Sequence, residues 1–251
     1  MKQIGKFLYI SFAVFALTAC DMFRIDNYEE PNAVLRGGIK DAVTGELVET
    51  DIQNGSRLQL QELGYPAGLL TRVVKQNGQY CDSLMFAGSY SIDFNACNFY
   101  PFFVDKIDVK KGDNVVDFSV TPYIRVKDVN IVKDGNSAIV ATFKLQPGKP
   151  EVRLANVQLY FHTDIYVGDQ VTTYELQGTG FRQTFNAPDN VIDESTVYTL
   201  RIDLTNATNK TYFKYDRNYY FRVGAMATVS GVGTIRRNYA PYQIIKFSLP
   251  Q

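Results

Sequence analysis

The chain has 251 residues, 45% hydrophobic and 21% charged, with 26 Lys and Arg set against 26 Asp and Glu. That is apolar content and length enough for one large or two modest domains, and the balanced charge argues against nucleic acid as a partner. A single His and three Cys leave little material for a zinc site or a Cys-His nucleophile pair, and ordinary Gly and Pro counts exclude collagen-like or long disordered chains.

Lys2 and Lys6 open the chain, and an apolar run from Phe7 to Ala16 follows, broken only by Ser11. About 20 apolar residues are needed to cross a bilayer, so this run is too short for a stable span and reads as a signal peptide over residues 1–19. It ends Leu17-Thr18-Ala19-Cys20, which resembles the bacterial lipobox. The resemblance implies cleavage before Cys20, diacylglycerol on its thiol and acylation of the new amine. Each buried acyl methylene contributes about 0.8 kcal/mol, so several chains anchor almost permanently. Residues 20–32 are polar, lack an apolar period and reach Pro31, as expected of a tether between lipid and fold. Their acidic residues resemble the export signals of Bacteroidetes surface lipoproteins. That implies an outer-membrane lipoprotein on the cell surface, with the periplasmic face as the alternative.

From residue 33 onward no stretch keeps a 3.6-residue apolar period. Short alternating runs rich in Val, Ile, Tyr, Phe and Thr recur instead, separated by Gly, Asn and Asp. Arg57-Leu58-Gln59-Leu60-Gln61 and Tyr198 to Leu204 alternate cleanly, and Asn77-Gly78 and Gly112-Asp113-Asn114 are turn signals. The pattern predicts an all-β chain of two tandem β-sandwiches. Pro122 cannot donate to a sheet ladder, which places the break at Thr121-Pro122-Tyr123 and the two blocks at 33–121 and 123–251.

In the first block, Leu35-Arg36-Gly37-Gly38-Ile39-Lys40-Asp41-Ala42-Val43-Thr44-Gly45-Glu46-Leu47-Val48 resembles the opening of the transthyretin-like module called the carboxypeptidase regulatory domain. Leu35 and Ile39 are expected in its core, with Asp41 capping a turn closed by Gly45. Gly78-Gln79-Tyr80 and Leu84 through Gly88-Ser89-Tyr90 resemble its later hairpin. Despite its name, that module is not catalytic. Near the end of the second block, Tyr219-Tyr220-Phe221-Arg222-Val223-Gly224-Ala225 resembles strand F of fibronectin type III and immunoglobulin-like domains. Alternation turns Tyr219, Phe221, Val223 and Ala225 inward and Tyr220 and Arg222 outward. Tyr219 takes the tyrosine-corner place, with its hydroxyl bonded to upstream backbone. Ile245, Phe247 and Leu249 form the inward row of a last strand.

With the lipobox and Asp26-Asn27-Tyr28-Glu29-Glu30-Pro31, these blocks resemble a two-domain Bacteroidetes lipoprotein family of polysaccharide-utilisation loci. The resemblance implies capture of polysaccharide at the cell surface beside an outer-membrane transporter complex. It carries over no catalytic residue, cofactor or metal.

The sole histidine, His162, falls on the outward row of Val157 to His162, where a surface role outweighs catalysis. Asp189, Asp193 and Glu194 share a loop that binds Ca²⁺ or nothing, and Gly178-Thr179-Gly180 and Gly231-Val232-Gly233 are turns. Asp82-Ser83-Leu84 resembles a short O-glycosylation sequon of Bacteroidetes. Cys81 and Cys97 remain after lipidation, and an exported chain permits a disulfide. A two-residue hairpin at Ala87-Gly88 sets Cys81 opposite Phe94, which leaves Cys97 about 10 Å along the strand; this favours a buried free Cys81 over a Cys81–Cys97 disulfide, which would need the chain to fold back after Phe94. The outward residues Tyr160, His162, Tyr220 and Arg222 compose one face. It serves to stack on sugar rings, to receive the first domain, or simply to meet solvent. The expected function is therefore a non-catalytic surface lipoprotein that takes up glycan, or an interaction module docking on a transporter or other surface protein.

Overall fold

The computed structural model describes residues 29–66, 68–173, 175–186 and 189–248. The signal peptide, Cys20, most of the tether and Leu249 lie outside the described residues. The first block forms β1 (Ala33–Asp41), β2 (Arg57–Glu62), β3 (Leu70–Val73), β4 (Gln79–Met85), β5 (Gly88–Asp93), β6 (Ala96–Cys97), β7 (Phe103–Val109), β8 (Gly112–Val115) and β9 (Phe118–Val120). One sheet runs β4-β1-β8, with β9 continuing beside β1, and the other runs β3-β2-β5-β7. Leu35 and Ile39 from β1 and Leu58 and Leu60 from β2 meet between them with Tyr80, Tyr90 and Phe94. Asp41 closes its turn as the sequence predicts: its Oδ1 accepts from Val43 N–H at 2.9 Å and its carbonyl from Gly45 N–H at 2.8 Å.

The second block forms β10 (Ile124–Asp134), β11 (Ala138–Pro147), β12 (Arg153–His162), β13 (Arg182–Thr184), β14 (Tyr198–Asp203), a one-turn helix α1 (Ala207–Tyr212), β15 (Arg217–Thr228), β16 (Thr234–Ile235), β17 (Asn238–Tyr239) and β18 (Gln243–Phe247). The sheets are β10-β11-β14 and β13-β12-β15-β17, with β18 also beside β15. Tyr219, Phe221, Val223 and Ala225 are fully buried in the core between them. The helix escaped the periodicity argument because it is too short to show a period; Asn206 caps it by accepting from Thr208 and Asn209 N–H. A bulge interrupts β10, with Asp128 at φ 53°. Gln243 bridges it to the opposite sheet, donating to Val129 O and accepting from Ile131 N–H.

Three local expectations need correction. Strands β4 and β5 are not a hairpin: β4 pairs with β1, and β5 with β2 and β7. The chain crosses between sheets at Ala87, so Cys81 does not face Phe94. Cys81 and Cys97 are both free thiols, and it is Cys81 that is exposed and Cys97 that is buried. Finally, Tyr219 is buried as expected, but its hydroxyl lacks a partner in hydrogen-bond geometry. The Tyr215 N–H is the backbone group directed toward it.

Candidate functional site

The register places the outward residues of the second domain together. Tyr160 stands opposite Arg222, and His162 opposite Tyr220, across the β12–β15 pair. They are nevertheless not an open ligand face. Arg222 and Tyr160 are fully buried, and His162 and Tyr220 are half-buried. Tyr160 is closed over by the second domain's own Val167, Asp169 and Tyr239, and of the four residues Arg222 is the one bonded to the first sandwich, so neither Tyr160 nor Arg222 offers a surface to a sugar.

Arg222 spends its whole guanidinium on the junction. Nε donates to Ala240 O at 2.9 Å, and Nη1 to Thr50 O at 2.8 Å and Val167 O at 3.2 Å. Nη2 donates to Glu49 Oε2 and, at 3.3 Å, to Gln76 O. The group lies 4.2 Å over the Tyr239 ring. Two loops of the first domain are thereby fastened to two segments of the second. A planar fork of five donors suits this work, since a buried guanidinium needs every hydrogen satisfied. Burial lowers the Arg222 pKa, with Glu49 opposing it; burial raises that of Glu49, with Arg222 opposing.

Around this centre lies a polar shell. Asp51 Oδ2 accepts from Asp169 N–H at 2.8 Å and from the Tyr239 hydroxyl at 3.2 Å. A side chain at position 168 would strike that carboxylate, because a Cβ on Gly168 would stand 2.3 Å from Asp51 Oδ2. Asn98 donates to Glu49 O and Arg237 O, and accepts through its carbonyl from Asn238. Arg125 grips Asp41 with two nitrogens, and both side chains are more than nine-tenths buried. Burial acts to raise the Asp41 pKa, but the Arg125 bond, the Val43 N–H and the guanidinium charge outweigh it and hold the carboxyl low. Strand β16 pairs in parallel with β6, joining the domains through backbone as well.

Beside this shell the domains leave a cleft of about 400 Å³, within the size range of small-molecule sites. Asp41, Glu46, Glu49, Asn77, Arg125 and Lys127 are among its walls. Asp41 and Arg125 are committed to each other and Glu49 to Arg222, and the exposed Glu46 and Lys127 are the wall groups that can meet a hydroxyl-rich ligand. Sequence reasoning read only two of these residues individually, Asp41 as a turn cap and Asn77 as part of a turn, and neither as a ligand group. His162 Nδ1 accepts from Asp164 N–H at 3.1 Å. Asp193 is engaged by Ser195 and Thr196, and among the described residues no group of three or more His, Cys, Asp or Glu is placed to hold a metal ion. Gly178 and Gly231 sit at positive φ, as turns require.

Fold and junction define a class: a tandem β-sandwich protein whose domains are joined by a buried polar interface with a cleft at its edge. Residues 33–121 match the N-terminal domain of a protein family of unknown function, DUF3823, and residues 124–243 match the DUF3823_C domain of unknown function. The chain belongs to the DUF3823 family. It is similar, at 45% identity and TM-score 0.81, to the crystal structure of a Bacteroides uniformis protein described as a "putative carbohydrate binding protein", over 86% of this chain and 100% of that one. DUF3823 proteins from Parabacteroides merdae (22% identity, TM-score 0.68, 87% of this chain and 100% of that one) and Bacteroides ovatus (23%, 0.64, 86% and 99%) share the fold. Among curated proteins no relative matches.

Proposed function

We propose that this chain is a lipid-anchored, non-catalytic protein of the cell surface that binds glycan in the cleft between its sandwiches. The observation that carries the reading is the description of the 45% identical relative as carbohydrate-binding, over the full length of that relative. The cleft supports it with mixed polar walls and a volume suited to one or two sugar rings. The sequence motif ending at Cys20 supports the anchor.

Calorimetry of the purified chain against a glycan panel tests the binding. A glycan should bind, and Lys127→Ala or Glu46→Ala should weaken it tenfold or more without moving the melting temperature. Silence of the folded chain across the panel would refute the reading and favour a module that docks on an outer-membrane transporter or another surface protein. Release of reducing ends from any glycan would refute the non-catalytic part.

A further inference from the structure

The end of the first sandwich away from the junction is where the tether joins the fold. Asn32 organises it. Its N–H donates to Met85 O at 3.0 Å, its carbonyl accepts from Gly112 N–H at 2.9 Å, and its Oδ1 accepts from Ala87 N–H at 2.9 Å. The β4–β5 crossing and the β7–β8 turn therefore meet at this residue. The β2–β3 loop belongs to the same end: Glu62 pairs with Tyr90, Leu63 N–H donates to Ser89 O, and the Tyr90 hydroxyl donates to Phe86 O.

Large apolar side chains stand in solvent on these loops. Leu63 is 42% exposed, Tyr65 64%, Leu69 59%, Leu84 71% and Phe86 43%. Lys110 and Lys111 are exposed in the neighbouring β7–β8 turn, and Lys111 reaches Glu29 at 3.5 Å. Exposed apolar tips gathered on segments that meet at one end of a domain mark an interaction surface. Tyr at its edge suits a boundary between apolar and wet surroundings, and Lys beside it suits anionic headgroups.

The chain itself selects the occupant. Cys20 precedes Glu29 by only nine residues. At ~3.5 Å per residue they span about 30 Å at full extension. A lipid on Cys20 thus confines this end near a bilayer, and a short flexible link gives an effective concentration in the millimolar range. A contact too weak to form between free partners is then occupied.

We propose that this end of the first sandwich rests on the lipid surface, with residues 63–66 and 68–69 of the β2–β3 loop and residues 84–87 at the end of β4 set among the headgroups and the second sandwich outermost. The proposal rests on the lipid-anchored reading above. It places the inter-domain cleft at the other end of β1, roughly 25 Å from the lipid at strand rise, open to a ligand arriving from solution.

The test uses the mature chain from Cys20 onward, with a hexahistidine tag at its N-terminus in place of the lipid. It is held on phosphatidylethanolamine and phosphatidylglycerol vesicles by nickel-chelating lipid, and its amide exchange is compared with that of the free chain. Exchange across 62–70 and 84–88 should slow at least threefold on vesicles, while the segment around Tyr215 stays unchanged. Tyr65→Ser combined with Leu84→Ser should abolish the slowing. Unchanged exchange in those loops would overturn the proposal, as would equal slowing in the concentrated free chain, which would indicate a second copy as occupant. Acylation of Cys20 is read separately, from the mass of the untagged chain in the membrane fraction. Unmodified Cys20 with protected loops refutes the anchor and sustains the surface contact; acylated Cys20 with unprotected loops does the reverse.

Discussion

Arg222→Met keeps aliphatic bulk at the centre of the junction and deletes the fork. Every hydrogen bond from the guanidinium to Ala240, Thr50, Val167, Glu49 and Gln76 is lost. The Glu49 carboxylate, 16% exposed in its side chain, keeps its charge without a counter-ion. Breaking a buried pair from one side costs about 3–5 kcal/mol, and each carbonyl left without a donor adds up to about 1 kcal/mol where water does not replace it. Against a total stability of about 5–15 kcal/mol this is a large share. It falls on the contact between domains, so urea unfolding followed by tyrosine fluorescence and far-UV dichroism should resolve two transitions in the variant. The less stable domain should lose about 3–5 kcal/mol. Arg222→Met with Glu49→Leu should recover about 1–3 kcal/mol, since the stranded charge goes with its partner. Burial already raises the Glu49 carboxyl in the folded state, with Arg222 opposing it. Without Arg222 the folded value rises further above the unfolded one, so the folded state binds the proton more tightly. The single variant should then gain stability as pH falls through that raised value. One cooperative transition within about 0.5 kcal/mol of wild type would refute the account of the junction.

Cys20→Ala should release the chain from the membrane fraction; recovery there at the wild-type level would remove the anchor. In the Cys20→Ala chain, Ellman's reagent should modify Cys81 in the native state and Cys97 only after unfolding, because Cys97 is buried and burial pushes its thiol up to about 11; two slow thiols, or two fast ones, would contradict the placement. Tyr219→Phe should change stability by less than about 0.5 kcal/mol, since the hydroxyl has no partner to lose, whereas Tyr219→Ala should cost about 3–5 kcal/mol in the packed core. The folded Asp41 carboxyl lies below its unfolded value, so its contribution holds above the unfolded value near pH 4 and is lost as pH falls through the folded one. Asp41→Asn should therefore be less stable at pH 7 and flatter below about pH 4, and identical acid limbs in a melting series would refute this.

Period-2 alternation carries the reading of the fold because it is a local signal. Leu58 and Leu60, Leu200 and Ile202, and the Tyr219-Phe221-Val223-Ala225 row all point where strand geometry sends them. What alternation does not encode is the neighbour across the sheet. Ala87-Gly88 has the composition of a tight hairpin, yet the chain turns there from one sheet to the other because Asn32 and Tyr90 hold the crossing. The Cys81 register failed with it. The Tyr219 hydroxyl is a different case: alternation buries the ring, which packs on Phe213 and Phe247, but it does not specify the oxygen's partner.

The face of Tyr160, His162, Tyr220 and Arg222 shows where local reasoning ends. Tyr and Arg offer ring faces, forks and single donors, and those groups serve a sugar and a protein surface equally well. Sequence placed these residues on one face correctly, but the identity of the partner depended on residues more than a hundred positions away, Glu49, Thr50 and Gln76. A buried charge is the discriminating feature. A guanidinium waiting for a ligand keeps water on its donors, whereas Arg222 has all its nitrogens engaged by protein and a carboxylate at hand. By the same standard the cleft is the better place for a ligand, because exposed Glu46 and Lys127 still face solvent along its wall. The junction therefore does two things at once: it consumes the most conspicuous polar face of the second domain, and it holds the two walls of the cleft at a fixed separation.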